Sequence, residues 1–206
     1  MENNIKENLD NILGSLKQYP LQTKIEVINE IYRELHKASP FNEPVDLIQW
    51  VPADQVEANN YNPNLIPPPE MKLLELSIRE DGYTQPIVVY QDAENERYIV
   101  VDGFHRNRIG KEIPDIRERI HGYLPVTIID KSLAERISST IRHNRARGTH
   151  GIASMSKVVE ELYFLGWSDK KIREQLGMEK DELLRLKQFT GLGILFKDRE
   201  YSLTRE

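Results

Sequence analysis

The first 38 residues carry two amphipathic patterns separated by a break. Within each pattern, apolar residues recur every three or four positions, which places them on one face of a helix. Tyr19-Pro20 interrupts the pattern. The sequence predicts a helical hairpin over 1–38, which either packs on its own core or acts as a dimerisation or partner-docking element. The two stripes are Ile5, Leu9, Ile12, Leu13 and Leu16, then Ile25, Ile28, Ile31, Tyr32 and Leu35.

The central residues, 45–130, alternate between strand and helix patterns after a proline-containing linker at 39–44. Runs of β-branched and aromatic residues predict short strands, while two amphipathic segments predict helices, the first of which ends at Gly82. Such a mixture favours an α+β or α/β domain. The predicted strands are 45–51, 86–90, 97–101 and 123–129, and the predicted helices are 71–81 and 105–112.

From residue 131 onward the pattern is helical throughout. A connecting helix with a cluster of arginines occupies 131–151, and three shorter helical patterns follow at 152–165, 169–176 and 179–189. Ser168 is a good N-cap for the second of these, and Gly177 suits the tight turn before the third. The sequence therefore predicts a helix-turn-helix domain over 152–192 and a tail over 193–206.

Composition excludes several classes of chemistry. The 206 residues contain no cysteine, so a disulfide, a thiolate metal site and a cysteine nucleophile are ruled out. The chain shows neither an apolar run near 18 residues nor a signal-peptide pattern. We expect a cytoplasmic protein with no membrane partner.

Charge is distributed unevenly along the chain. Residues 1–100 carry 8 basic and 17 acidic side chains, whereas 101–147 carry 10 basic and 6 acidic ones. The remaining residues balance at 10 and 10. A single short basic segment in an acidic protein points to a compact anionic ligand more than to a broad nucleic-acid footprint.

The basic segment begins with a strand-to-helix turn. An apolar strand ends at Asp102-Gly103, and a helix opens with Phe104, His105 and Arg106. The first N–H groups of a helix lack acceptors within the helix and attract anions, and Arg forks onto phosphate oxygens. The sequence predicts a phosphate site here; the alternative is an ordinary charged helix start. Asp102 is predicted either to cap the helix or to act as a catalytic carboxylate or magnesium ligand.

These residues resemble the phosphate-binding turn of the ParB/sulfiredoxin superfamily. The similarity extends to Val51–Asn64, which resembles the opening of a ParB N-terminal domain, and through 69–89, where a helix is followed by a Gly-Tyr-Thr-Gln-Pro box. Downstream, residues 142–147 lie where ParB proteins carry a Glu-Asn-x-x-Arg segment, with His143 at the glutamate position. The resemblance covers roughly 46–192 and implies an α+β nucleotide-binding domain followed by an all-α helix-turn-helix domain.

The resemblance also implies a ligand and a set of binding residues. The ligand is a nucleoside triphosphate, ATP or CTP, with Mg²⁺ a further expectation that would involve Asp102 and Asn144. Phe104 occupies the position of the sulfiredoxin cysteine, which excludes sulfiredoxin chemistry. The predicted nucleotide-binding residues are Gln85, Gly103, Phe104, His105, Arg106, Asn144 and Arg147.

Three functions follow from this resemblance. The first is a DNA-associated regulator of the IbrB type, in which a bound nucleotide controls the engagement of DNA, of a second subunit or of a partner protein. The second is an enzyme similar to the ParB-like free-serine kinases, or a nucleotide hydrolase, with Asp102 and His105 as catalytic residues and Glu57 as the nearest match to a further glutamate. The third is an inert scaffold that binds only protein.

The last helix of the predicted helix-turn-helix domain carries charges of both signs. Lys180, Arg185 and Lys187 are the predicted DNA contacts. Three acidic residues at its start, Glu179, Asp181 and Glu182, would repel phosphates. The domain is therefore predicted to bind DNA, with protein binding as the alternative.

Overall fold

Two helices precede the folded core. The computed structural model describes residues 2–59, 67–145 and 152–190, except for the side chains of 2, 3 and 143–145. Helix α1 spans Glu2–Leu16 and α2 spans Leu21–Ala38. Leu16 is buried, but Ile5 is 64% exposed and Leu35 is 61% exposed. The expectation that these helices pack on a core of their own is therefore wrong, because most of the apolar stripe faces outward.

Five strands of the described residues form one mixed sheet. They are β1 (Gln49–Pro52), β2 (Val56–Glu57), β3 (Ile87–Asp92), β4 (Arg97–Asp102) and β5 (Tyr123–Ile128), in the order β1-β5-β3-β4-β2. β1 pairs antiparallel with β5, and β3 pairs antiparallel with β4. The β3–β5 and β2–β4 pairs are parallel. Because β3 and β4 are antiparallel, the start of β3 lies beside the end of β4, with Val88 opposite Asp102.

Helices α3 (Pro68–Asp81), α4 (Phe104–Glu112) and α5 (Pro114–Arg119) belong to the same domain. α4 approaches the sheet closely at Gly110, where an added Cβ would overlap the Tyr83 hydroxyl and the Leu124 side chain. Only glycine fits there, and its lack of a side chain lets α4 lie close against the sheet. The buried residues of the sheet form one apolar cluster: Val51, Ala53, Val56, Ile87, Val89, Val100, Leu124 and Val126.

A helical domain follows the sheet. Its helices are α6 (Leu133–Arg145), α7 (Ile152–Phe164), α8 (Asp169–Leu176) and α9 (Lys180–Phe189). The Ser168 hydroxyl accepts a hydrogen bond from the Lys171 N–H at 3.3 Å, and Gly177 adopts a left-handed conformation with φ +62°. Both predicted signals of the helix-turn-helix are confirmed, as is the fold class of an α+β domain followed by an all-α region.

The structure differs from the predicted elements where those elements are short. Pro44–Asp46 forms a 3₁₀ turn, so the first strand begins at Gln49 and not at residue 45. Strand β2 has two residues and helix α5 has six, and both were missed. Segments this short do not display a readable hydrophobic period, so only their pairing and packing reveal them.

Candidate phosphate-binding site

The site begins where β4 ends and α4 starts. Gly103 is the N-cap of α4 and has φ +91°, a conformation that side chains other than glycine's rarely adopt. A Cβ at this position would lie 3.1 Å from Nε and Nη2 of Arg106 and 3.3 Å from the Ile87 Cα. The glycine therefore serves two purposes, since it makes the turn and lets the guanidinium lie against the backbone.

The Arg106 guanidinium is fixed by two partners. Its Nη1 donates to Gln85 Oε1 at 2.6 Å, and its Nη2 donates to Asp102 Oδ2 at 3.3 Å. The Arg106 side chain is 12% exposed and the Asp102 side chain 7% exposed. Asp102 does not cap α4, because the N-cap is Gly103 and no side chain bonds to that cap. Its carboxylate instead offsets the charge of the buried guanidinium.

Tyr83 holds the first turn of α4 from the other side. Its hydroxyl donates to the Arg106 carbonyl at 2.7 Å. Burial raises the pKa of Tyr83 to about 12, so this hydroxyl remains protonated at neutral pH. Tyr83 was not among the predicted site residues, although it lies in the Gly-Tyr-Thr-Gln-Pro box. Nothing in the spacing of Tyr83 and Arg106 indicates that they meet.

His105 stands out by its lack of partners. Nδ1 and Nε2 are both shielded from solvent, and neither has a hydrogen-bond partner in the described part of the chain. The ring meets Phe104 edge to face, with centroids 5.2 Å apart. Burial, reinforced by the nearby Arg108 charge, lowers the pKa of His105. The imidazole is therefore neutral at pH 7 and offers one donor and one acceptor nitrogen.

These groups surround a cavity of about 310 Å³. One wall comes from α3 and the loop after it, including Ser77, Thr84 and Gln85, and the other is the 101–106 turn. The volume falls within the usual range for small-molecule sites. A phosphate-sized anion in this cavity would lie beside a helix N-terminus and a guanidinium, with His105 in the same wall. The donors present therefore fit a nucleotide phosphate.

The structure brings together six of the predicted residues: Gln85, Asp102, Gly103, Phe104, His105 and Arg106 all line the cavity. Asn144 lies in the last turn of α6, but its side chain is outside the described residues, as is the whole of Arg147. Glu57 is not at the cavity and lies 3.5 Å from Arg97 at the start of β4.

The described residues contain no preformed cluster of metal-binding side chains. No group of three or more His, Asp or Glu side chains in these ranges could hold a metal ion. Asp102, one of the two predicted magnesium ligands, already accepts from Arg106. A role for Asp102 in metal binding stays a prediction that would need additional oxygen ligands, such as those of a nucleotide's phosphates.

The three predicted DNA contacts on α9 differ in their exposure. Lys180 and Arg185 are exposed on α9. Lys187 is only 11% exposed and donates to both carboxylate oxygens of Asp169 at 3.0 Å. Its Nζ also lies 4.8 Å from the centroid of the Tyr163 ring. These contacts use the charge of Lys187 inside the domain, and its role as a DNA contact stays a prediction.

Helix length and polarity bear on a membrane location. Across the described ranges, no helix combines the length and the apolar character that crossing a bilayer requires.

Comparison with known proteins agrees with this arrangement. Residues 38–143 match the ParB N-terminal domain, and residues 150–198 match the IbrB-like C-terminal HTH domain. The uncharacterized protein YbdM of Escherichia coli (strain K12) is 51% identical over 203 residues, covering 98% of this chain and 95% of that protein.

Two solved structures show weaker likenesses. The C-terminally truncated chromosome-partitioning protein ParB from Caulobacter crescentus, complexed with CTP-gamma-S, is 17% identical with a TM-score of 0.41, over 73% of this chain and 87% of that chain. The same protein complexed to the centromeric parS site is 14% identical with a TM-score of 0.46, over 69% of this chain and 71% of that chain. The family matches cover both domains in chain order. The chain therefore belongs to the family of ParB-like proteins that join a ParB N-terminal domain to an IbrB-like C-terminal helix-turn-helix domain.

Proposed function

We propose that this protein is a DNA-associated regulator whose DNA or partner engagement is controlled by a nucleoside triphosphate bound at the 102–106 turn. One observation carries the proposal. His105, whose buried ring nitrogens have no hydrogen-bond partner in the described ranges, lines the same cavity as the fixed Arg106 guanidinium. A buried polar atom without a partner is costly, and an anionic oxygen would satisfy it.

The ligand is proposed to be ATP or CTP, with its phosphates at Gly103, His105 and Arg106. Asn144 and Arg147 are proposed as further contacts from the likeness of 142–147 to the Glu-Asn-x-x-Arg segment. Magnesium would be held jointly by the phosphates and by Asp102 or Asn144. When bound, the metal would neutralise phosphate charge, while the residues of the turn orient the phosphate chain.

A continuous set of contacts links the cavity to the helical domain. The buried Thr140 hydroxyl of α6 donates to the Val101 carbonyl at 2.7 Å, one residue before Asp102. Farther along α6, Arg142 donates to Gln175 Oε1 at 2.8 Å near the end of α8. Ile137 and Ile141 of α6 belong to the same apolar core as α7, α8 and α9. A ligand that shifts the end of β4 would thus act on the helix that supports the helix-turn-helix.

Calorimetric titration with ATP and CTP, with and without Mg²⁺, tests the nucleotide site. His105→Ala should weaken binding by about tenfold, since one hydrogen bond to a charged group contributes about 1.5 kcal/mol. His121→Ala is the matched control, because His121 is exposed and does not line the cavity. Equal affinity in the native protein and His105→Ala would refute the site.

Binding to DNA is tested by its salt dependence. Lys180→Ala with Arg185→Ala should reduce the slope of log affinity against log salt by about 2. Lys37→Ala is the control, because it removes an exposed cation from α2, outside the helix-turn-helix. A native protein that shows neither nucleotide binding nor salt-dependent DNA binding would leave a protein-binding scaffold as the remaining function.

A second candidate function is phosphoryl transfer or nucleotide hydrolysis. The neutral imidazole of His105 favours it, because a ring nitrogen with no partner in the described chain is free to accept a proton from an attacking hydroxyl or water. Asp102 would then orient the reacting groups. A product assay separates the candidates: turnover lost in Asp102→Asn while nucleotide affinity persists supports the enzyme, and absence of any product with bound nucleotide refutes it.

A further inference from the structure

The N-terminal helices present apolar side chains that the described chain does not cover. On α1, Ile5, Leu9, Ile12 and Leu13 are 45–64% exposed. On α2, Leu21, Tyr32 and Leu35 are 43–61% exposed. Exposed apolar side chains that cluster on a surface usually mark an interaction site. We call the seven side chains the N-terminal stripe.

The spacing along the two helices is that of a helix-pairing seam, which combines stripe residues with Leu16, Ile25 and Ile28. Ile5, Leu9, Ile12 and Leu16 are separated by four, three and four residues. On α2 the separations among Leu21, Ile25, Ile28, Tyr32 and Leu35 are four, three, four and three. An alternation of three and four is the repeat by which one helix packs lengthwise against another. The stripe therefore fits a helical partner better than a sheet edge or a small molecule.

The charges along these helices leave the seam free of carboxylates. With these seam residues at the a and d positions of a heptad, Lys6 and Lys24 are the only fully charged residues at the flanking e and g positions, where Leu13 also lies. The acidic residues of the two repeats lie at the outer b, c and f positions: Glu7, Asp10, Glu26, Glu30 and Glu34. Two copies can thus meet without bringing carboxylates together along the seam.

The helix that carries the second half of the stripe is anchored to the sheet. The Asn29 amide donates to the Trp50 carbonyl at 2.7 Å and accepts from the Trp50 N–H at 2.9 Å. This pair of bonds satisfies the edge of β1 and fixes α2 on it. The stripe is therefore displayed on a supported helix, which lowers the ordering cost of association.

The area involved is sufficient for a stable dimer. Seven side chains that are each about half exposed offer about 700 Å² of apolar surface per copy, close to the roughly 800 Å² per partner of a standard protein interface. We propose that two copies of this chain associate through α1 and α2, each copy covering the stripe of the other. This inference is independent of the nucleotide site.

Sedimentation equilibrium of the full chain over about 5 to 100 µM tests the proposal. We expect a dimer whose dissociation constant rises by about 100-fold or more in Ile5→Glu/Ile12→Glu, because the new carboxylates would be buried without partners. Leu73→Glu/Leu76→Glu is the control, since those leucines are 67% and 50% exposed on α3, outside the stripe. The control should leave the dimer unchanged.

Three results would overturn the proposal. They are a monomeric native chain over the whole concentration range, a dimer unaffected by Ile5→Glu/Ile12→Glu, and a dimer weakened equally by the α3 control. The first would also be the outcome if another part of the same chain, or a different protein, covered the stripe. All four substituted residues are exposed, and far-ultraviolet circular dichroism of each variant checks that it remains folded.

Discussion

Removing the Arg106 side chain should destabilise the protein well beyond the loss of one surface charge. The guanidinium is 12% exposed and is a cationic partner of Asp102, which is 7% exposed. Deleting one member of a buried ion pair costs about 3–5 kcal/mol, because the remaining buried charge loses that partner. The Gln85 hydrogen bond at 2.6 Å is lost as well. We expect Arg106→Ala to lower the free energy of unfolding by about 3–5 kcal/mol.

A double variant isolates the contribution of the buried charge. Asp102→Asn in the Arg106→Ala protein replaces the carboxylate that has lost its Arg106 partner with a neutral amide of the same shape, and should restore about 1–3 kcal/mol. Arg108→Ala is the matched control on the same helix. Because Arg108 and Glu112 are 55% and 58% exposed, that variant should change the free energy of unfolding by less than about 0.5 kcal/mol.

Urea denaturation followed by tryptophan fluorescence measures these differences. Trp50 lies in β1, and Trp167 lies in the helical core. Replacing Trp167 with Phe in every variant, including the reference, makes Trp50 the reporter of the domain that contains the site. The reasoning is refuted if Arg106→Ala is no more destabilising than Arg108→Ala, or if Asp102→Asn adds to the destabilisation instead of relieving it.

This prediction also explains why nucleotide binding is better tested at His105. Loss of binding in Arg106→Ala could follow either from a lost phosphate contact or from a turn that no longer forms. His105 has no hydrogen-bond partner in the described ranges whose removal would disturb the turn. Truncating it therefore tests the ligand contact more directly.

Three further predictions concern the turn, its pH response and the helical domain. Gly103→Ala should destabilise by about 1–2 kcal/mol more than Gly122→Ala in the same denaturation assay; both have positive φ, but only Gly103 is crowded. Burial lowers the pKa of His105 in the folded chain. As the pH falls below about 6.5, the unfolded chain therefore takes up a proton at His105 before the folded chain does. The free energy of unfolding should therefore fall in that range, and His105→Gln should reduce the fall; an identical pH profile would contradict it. Lys187→Ala should lower the thermal midpoint of the helical domain, since Asp169 loses its partner, and an unchanged calorimetric transition would argue against the pair.

Most of the local structure and the location of the turn can be read from the sequence alone. Ser168 and Gly177 mark a helix start and a helix end through contacts within a few residues, so their signals can be read without tertiary information. The change from an apolar strand to a basic helix at Asp102-Gly103 is local in the same way. Motifs in order along the chain were enough to identify the family.

The arrangement of the site depends on tertiary packing. Gln85 and Arg106 are 21 residues apart, and Tyr83 and Arg106 are 23 apart, so their bonds depend on how α3, its following loop and α4 pack. The glycine that lets α4 lie against the sheet, Gly110, carries no local signal because it lies inside a helix. The sequence allows Asp102 to be a helix cap, but in the folded chain its carboxylate is the counter-ion of Arg106.

The surface residues also differ in what their sequence pattern predicts and what they contact in the folded chain. A lysine on an amphipathic helix is equally compatible with solvent and with a buried partner, and the fold placed Lys187 against Asp169. An apolar stripe is equally compatible with an internal core and with an interface, and the fold left Ile5 and Leu35 exposed. Periodicity determines which residues share a face of a helix, because that is set by the backbone. What the face meets is set by contacts between residues distant in sequence, and those exist only in the folded chain.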